Sequence, residues 1–202
     1  MLRETRKQEL KDHIFLTAMQ LFTEHGFPHV TVDQITQACG IAKGTFYLYF
    51  PKKEAVLLHF GNSQMAAVHT AVQQHAEVVD IKKKLQLLFH DLFVPYARHS
   101  ELIRHTISEM MRSSLFMEEE LPLSEQFQQV LTELLLQAQK EHQLSAELSC
   151  ADAAGVLVAI YFHCLLQWAA SPQRHPQIEA LFLPRFELVW QGMNPRKDVE
   201  QR

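Results

Sequence analysis

The sequence predicts an all-α protein of about nine helices, and three observations carry that expectation. Apolar residues recur at helical rather than alternating spacing along the whole chain. Glycine is scarce, with 6 among 202 residues, and no run alternates apolar and polar side chains as a half-buried strand does. The hydrophobic fraction, 47%, is enough for a sizeable core. Two parts are expected: a small three-helix head over residues 1–52 and a larger helical domain over 53–202.

The first helix is expected from near Thr5 to His25, with Leu10, Ile14, Ala18, Leu21 and Phe22 on one face, and Gly26 closes it. Thr31 and Gln34 have the spacing of a capping box, so a short helix starts there. Ile35, Ala38 and Cys39 give it one apolar face. Gly40 stops it, because the residue after a helix often needs positive φ. Ile41 plugs the angle to a second short helix, Ala42 to Phe50. There Phe46 and Phe50, four apart, face inward, and Lys43, Thr45, Tyr47 and Tyr49 face outward. Pro51 disfavours helical geometry at Phe50 and ends the segment.

A fourth, long helix starts at Pro51-Lys-Lys-Glu54 and runs to about Ala76, connecting the head to the rest. A fifth follows Asp80, with Leu85, Leu88, Phe89, Leu92 and Phe93 inward, and Pro95 ends or kinks it. Ser100 caps a sixth through Met111. Ser113 to Leu121, with Glu118-Glu-Glu120, reads as a mobile loop. A seventh helix runs from Pro122 to about His142, with Phe127, Val130, Leu131, Leu134 and Leu135 inward. Ser149 caps the eighth. The ninth spans about Gln177 to Gln191, stopped by Gly192 and kinked at Pro184.

Two short helices joined at Gly40, the second carrying hydroxyls, aromatics and lysine, have the pattern of a helix-turn-helix whose second helix enters the DNA major groove. Taken alone, the pattern equally fits an ordinary helical hairpin with amphipathic tyrosines. The particular strings say more. Lys43-Gly-Thr-Phe-Tyr-Leu-Tyr-Phe-Pro-Lys-Lys-Glu-Ala-Val-Leu58 resembles the signature of the TetR family of bacterial transcriptional regulators. So does Ile14-Phe-Leu-Thr-Ala-Met-Gln-Leu-Phe-Thr-Glu-His-Gly-Phe27, followed by Thr31-Val-Asp-Gln-Ile35. The resemblance covers roughly residues 10 to 60 and beyond that extends only to length, helical content and helix order.

That resemblance implies a helix-turn-helix DNA-binding head and a helical effector-binding and dimerisation domain. It implies phosphate contacts from Thr31, Tyr47, Tyr49 and Lys53, and base-edge approach by Lys43, Gly44 and Thr45. The missing side chain of Gly44 would allow close approach, and Lys43 could reach a guanine. Ala42 departs from the hydroxyl residue often found there. The partners implied are near-palindromic double-stranded operator DNA, a small effector, and a second copy in a four-helix dimer bundle made by the last two helices.

Net charge fits less simply. It is −4 overall, but residues 1–60 carry Arg3, Arg6, Lys7, Lys11, Lys43, Lys52 and Lys53 against Glu4, Glu9, Asp12, Glu24, Asp33 and Glu54, a net of +1. Phosphate contact therefore depends on a few placed cations, hydroxyls and amides. This favours a sequence-specific binder over an architectural DNA coater.

Cys39, Cys150 and Cys164 are odd in number and unrelated in spacing, so they read as small buried hydrophobes rather than a disulfide or zinc set. His59, His69 and His75 share a helix but not one face at one level, and no metal or cofactor is expected. Arg3, Arg6 and Lys7 precede no apolar run, so no signal peptide is expected. Ala153 to Ala170 is nearly continuously apolar but holds Gly155, His163 and Gln167 and lacks basic flanks. It reads as a helix buried in protein rather than a membrane span, in a cytoplasmic chain.

The last two helices carry more apolar surface than a monomer is expected to need, including Phe162, Leu165, Phe186, Val189 and Trp190, which are the expected dimer contacts. The centre of the larger domain is rich in aromatics and methionine. Phe89, Phe93, Tyr96, His105, Met110, Phe127 and Tyr161 are the expected lining of an effector site, with Met111 and Phe116 nearby. An apolar, aromatic or acyl-bearing effector fits, with Tyr96 or His105 as polar anchor; an inward Glu109 would suit a lipophilic cation. Three function classes follow. The favoured one is a repressor released from its operator by such an effector. The alternative is a helical ligand-binding or interaction protein with a vestigial head, against which Lys43, Tyr47 and Lys53 argue. An enzyme is not expected, since no nucleophile triad, phosphate loop or metal spacing is visible.

Overall fold

The structure, a computed structural model, describes residues 2–98, 103, 104, 107, 115–171 and 177–193. In chain order the elements are α1 (Leu2–His25), a 3-10 turn (Phe27–His29), α2 (Val32–Cys39), α3 (Lys43–Tyr49), α4 (Glu54–Gln74), α5 (Ile81–Arg98), α6 (Leu115–Lys140), α7 (Cys150–Ala170) and α8 (Ile178–Met193). Ile103, Arg104 and Ile107 are also helical, and no strand occurs among the described residues. The chain divides into two compact units, Met1–Ser63 with His99–Glu119 and Gln64–Arg98 with Glu120–Arg202.

The first unit is the head. Ile14, Ala18 and Phe22 of α1 are buried, as the helical spacing predicts, and Met19 joins them. Val30, Ile35, Phe46, Phe50, Val56 and Leu57 complete the core of the head. Gly26 ends α1 at φ 79°. Thr31 caps α2 reciprocally: its Oγ1 accepts from Gln34 N, and Gln34 Oε1 accepts from Thr31 N at 2.7 Å. Gly40 adopts φ 66°, the left-handed geometry expected of it. The inward face of α2 differs from the expected one: Ala38 is exposed and Thr36 is buried. Burial of the hydroxyl is tolerated because Thr36 Oγ1 donates to Asp33 O. His59 is half-buried, with its ring edge-on to Phe15 and Phe50.

In the second unit the five inward residues of α5 are all buried. At Pro95, where an end or a kink is expected, the fifth helix does not end but continues to Arg98, because a proline near a helix end forfeits one hydrogen bond while the buried Tyr96 holds the last turn on the core. Two boundaries differ from the expected ones. The stretch expected as a loop before Pro122 is instead the start of α6, from Leu115. Its Glu118-Glu-Glu120 run is made of good helix formers. Gly192 does not stop the last helix, which runs on to the buried Met193. Pro184 lies inside that helix as expected. The helix expected from Ser100 to Met111 lies mostly outside the described residues.

Ser149 caps α7 by accepting from Asp152 N. α7 is long and apolar enough to cross a membrane by length and composition, yet half of its apolar window is buried inside the chain. Ala154, Leu157, Val158, Tyr161, Cys164, Leu165 and Trp168 all point into the core. Cys150 and Cys164 are buried and Cys39 is half-buried, none in a disulfide.

Candidate DNA interface and sensor core

On the head, the turn at Gly40 sets α3 beside α2. Ala42 takes extended geometry (ψ 150°) as the N-cap of α3, with no side-chain cap. Phe46 and Phe50 anchor α3 from beneath, both 1% exposed or less. What they leave outside is the candidate reading surface. Lys43 and Gly44 are exposed, Thr45 is half-buried, and Tyr47 is exposed. Leu48, which the sequence reading passed over, is 80% exposed. A large apolar side chain so open on a seven-residue helix is unusual among the head's own residues. Tyr49 is half-buried and packs against the head core. A Cβ built at Gly44 meets nothing within 4 Å, so nothing in the head itself requires glycine there.

Two lysines are already engaged. Lys53 Nζ donates to Phe27 O at 2.7 Å and Val30 O at 2.8 Å and lies 4.2 Å from the Phe27 ring centroid. It ties α4 to the 3-10 turn and the entry to α2. Partial burial holds its pKa below the usual lysine value, opposed by the neighbouring Glu54. Lys43 Nζ sits between the two carboxylate oxygens of Asp33, at 2.9 and 3.0 Å. The hydrogen bond to Asp33, and then its charge, raise the Lys43 pKa. Sequence reasoning missed Asp33 as a partner, since the pair spans the turn at a separation of ten residues.

In the second unit, the structure brings together five of the seven residues expected at the effector site. Phe93 stacks on Tyr161 at 5.6 Å, Phe127 meets Tyr161 edge-on at 5.4 Å, and Phe89 lies 5.9 Å from Phe127. Phe182, not foreseen there, is 4.4 Å from Phe89, and Phe186 stacks on Phe182. His105 and Met110 lie outside the described residues, as do Glu109, Met111 and the side chain of Phe116. Inside this apolar cluster sits one hydrogen-bonded chain. Tyr96 Oη donates to Gln64 Oε1 at 2.8 Å and lies 2.9 Å from Tyr161 Oη. With its single proton committed to Gln64, Tyr96 accepts from Tyr161. Burial pushes both phenols above their ordinary pKa, so the chain is uncharged.

The expected dimer residues are placed less uniformly. Leu165, Phe186 and Trp190 are buried within the single chain, while Phe162 and Val189 are half-buried. Their neighbours Val156, Leu183 and Leu188 are exposed, Leu188 by 72%. Among the described residues, no three His, Cys, Asp or Glu side chains converge as a metal site would require.

Residues 14–60, which contain this α2–α3 pair, match the family described as bacterial regulatory proteins, tetR family. Over these residues the chain is similar to the TetR family. A curated relative, the uncharacterised helix-turn-helix transcriptional regulator YuxN of Bacillus subtilis, is 27% identical over 204 residues, covering 95% of this chain. The chain spans 66% of YuxN's own length, just short of two thirds, and half or less of several other relatives. The fold is similar to that of the fatty acid degradation regulator FadR from Bacillus halodurans, at TM-score 0.75 and 26% identity, over 91% of this chain and 99% of that one. It is similar also to Thermus thermophilus FadR, a transcriptional repressor solved in complex with lauroyl-CoA, at TM-score 0.69 and 26% identity, over 93% of this chain and 96% of that one.

Proposed function

We propose that this chain is a TetR-family regulator: a ligand-responsive, sequence-specific DNA-binding transcriptional regulator, a repressor released from its operator by a largely apolar effector. The observation that carries the reading is the outer face of α3. Lys43, Gly44, Tyr47 and Leu48 are held outward by a fully buried Phe46, with open space around Gly44 and Leu48 left 80% exposed. A lysine, an open glycine, a phenol and an apolar side chain on one helix suit phosphate, close backbone approach and base edges. Residues 1–52 would read DNA, and residues 53–202 would bind effector and dimerise.

The second unit supports the effector class. Its aromatic cluster suits an apolar chain, and the Tyr161–Tyr96–Gln64 hydrogen bonds offer one polar point of recognition within it. The lauroyl-CoA complex of the T. thermophilus relative supports a long acyl thioester as the first probe. A cytoplasmic homodimer through α7 and α8 is the expected form. Its support is the apolar surface these helices leave uncovered at Val156, Leu183 and Leu188.

Gly44→Ala separates this reading from a vestigial head. A methyl group has open space in the protein, and alanine is the better helix former by about 1 kcal/mol, so the melting temperature should hold or rise. Where DNA approaches the backbone, the same methyl clashes. Affinity for duplex DNA from upstream of the chain's own gene should fall about tenfold or more, near 1.4 kcal/mol, measured by fluorescence anisotropy. Unchanged affinity would remove α3 from the interface.

A further inference from the structure

Asp33 sits in the first turn of α2, and its carboxylate is 70% exposed, beside the outward face of α3. It grips Lys43 Nζ with both oxygens, at 2.9 and 3.0 Å, across the turn. An ion pair this exposed adds little to stability, because solvent screens it and two side chains lose freedom to hold it. Its position matters more than its strength. A carboxylate beside a surface meant for phosphates is unfavourable there unless it has a purpose. The head also has few cations to spare: Lys53 is engaged by two backbone carbonyls, and residues 1–60 carry a net of only +1.

We propose that Asp33 is a specificity-determining residue of the DNA head, a positioning residue that acts through Lys43. It neutralises the Lys43 ammonium in the free protein and on random DNA, and yields it only where the duplex supplies base-edge acceptors in its place. Guanine O6 and N7 are such acceptors, and cytosine N4 is the donor a displaced carboxylate could then use. On random sequence the pair stays closed, the lysine is unavailable to phosphate, and non-specific affinity is kept low. The inference rests on the DNA-binding reading and adds to it a determinant of the ratio between specific and random binding.

The test compares wild type, Asp33→Asn, Lys43→Met and the double variant on two short duplexes, one from upstream of the chain's own gene and one of scrambled sequence, across a salt series. Asp33→Asn is expected to steepen the salt dependence on scrambled DNA by about 0.9 in log–log slope, the value for one more neutralised phosphate, and to lower the specific-to-random ratio several-fold. In the Lys43→Met background the same change should have less than half that effect, because its target is gone. Equal effects of Asp33→Asn in both backgrounds would overturn the proposal, since the carboxylate would then act as a simple repulsive charge. Wild-type discrimination with no effect of Asp33→Asn on slope or ratio would overturn it too, while leaving the DNA-binding reading intact. A wild-type chain that binds both duplexes equally sinks both.

Discussion

Phe46→Ala should unfold the DNA head and abolish operator binding. Phe46 is fully buried, touches the rings of Phe50 and Tyr47, and is the main anchor beneath α3. Truncating a buried phenylalanine to alanine costs about 3–5 kcal/mol, the lost transfer energy plus the cavity left behind. A small helical unit seldom has more than that to lose, since total stabilities of whole domains are only about 5–15 kcal/mol. Thermal unfolding followed by circular dichroism should lose its head transition or show it at a much lower temperature, in parallel with lost DNA binding. Phe46→Leu retains most of the buried volume and should keep both. Retention of full DNA affinity by Phe46→Ala would mean that α3 is not held as described.

The second large effect is the link between effector and DNA. If an acyl-CoA reduces operator affinity about a hundredfold, the two sites are coupled by about 2.7 kcal/mol, and operator DNA must weaken the effector by the same factor. A ligand shifts a conformational equilibrium only through its differential affinity for the two states. The Tyr161–Tyr96–Gln64 chain is the polar element of the second unit that, on the proposed reading, such a ligand joins or breaks. Calorimetric titration of lauroyl-CoA into the protein, with and without saturating operator, should give dissociation constants that differ by the factor seen on the DNA side. Equal constants would mean that this ligand is not the inducer.

What the sequence made legible is mostly local. The capping box of Thr31 and Gln34, the left-handed Gly40 and the inward pair Phe46 and Phe50 depend on residues at most four apart, where spacing alone sets geometry. The aromatic cluster was partly legible because Phe89, Phe93, Phe127 and Tyr161 fall on inward stripes of their own helices. Phe182 joined it only through packing of α8 on α5. What escaped was long-range. Lys53 grips carbonyls 23 and 26 residues away, and a lysine next to a helix start carries no sign of that in the sequence. Pro122 misled because local propensity was read as decisive: α6 starts at Leu115 and contains it. Nor could hydrophobicity divide the last two helices between the chain's own core and a partner. Leu165, Phe186 and Trp190 look like Leu188 in sequence, yet only Leu188 is left uncovered.

The most direct measurement is fluorescence anisotropy of labelled duplex DNA from upstream of the chain's own gene, titrated with protein at physiological salt, against a scrambled duplex and with added lauroyl-CoA. The account predicts binding to the upstream duplex at least about a thousandfold tighter than to the scrambled one, the lower end for sequence-specific binders, with the acyl thioester reversing it. Equal affinity for the two duplexes, with or without the ligand, would contradict it.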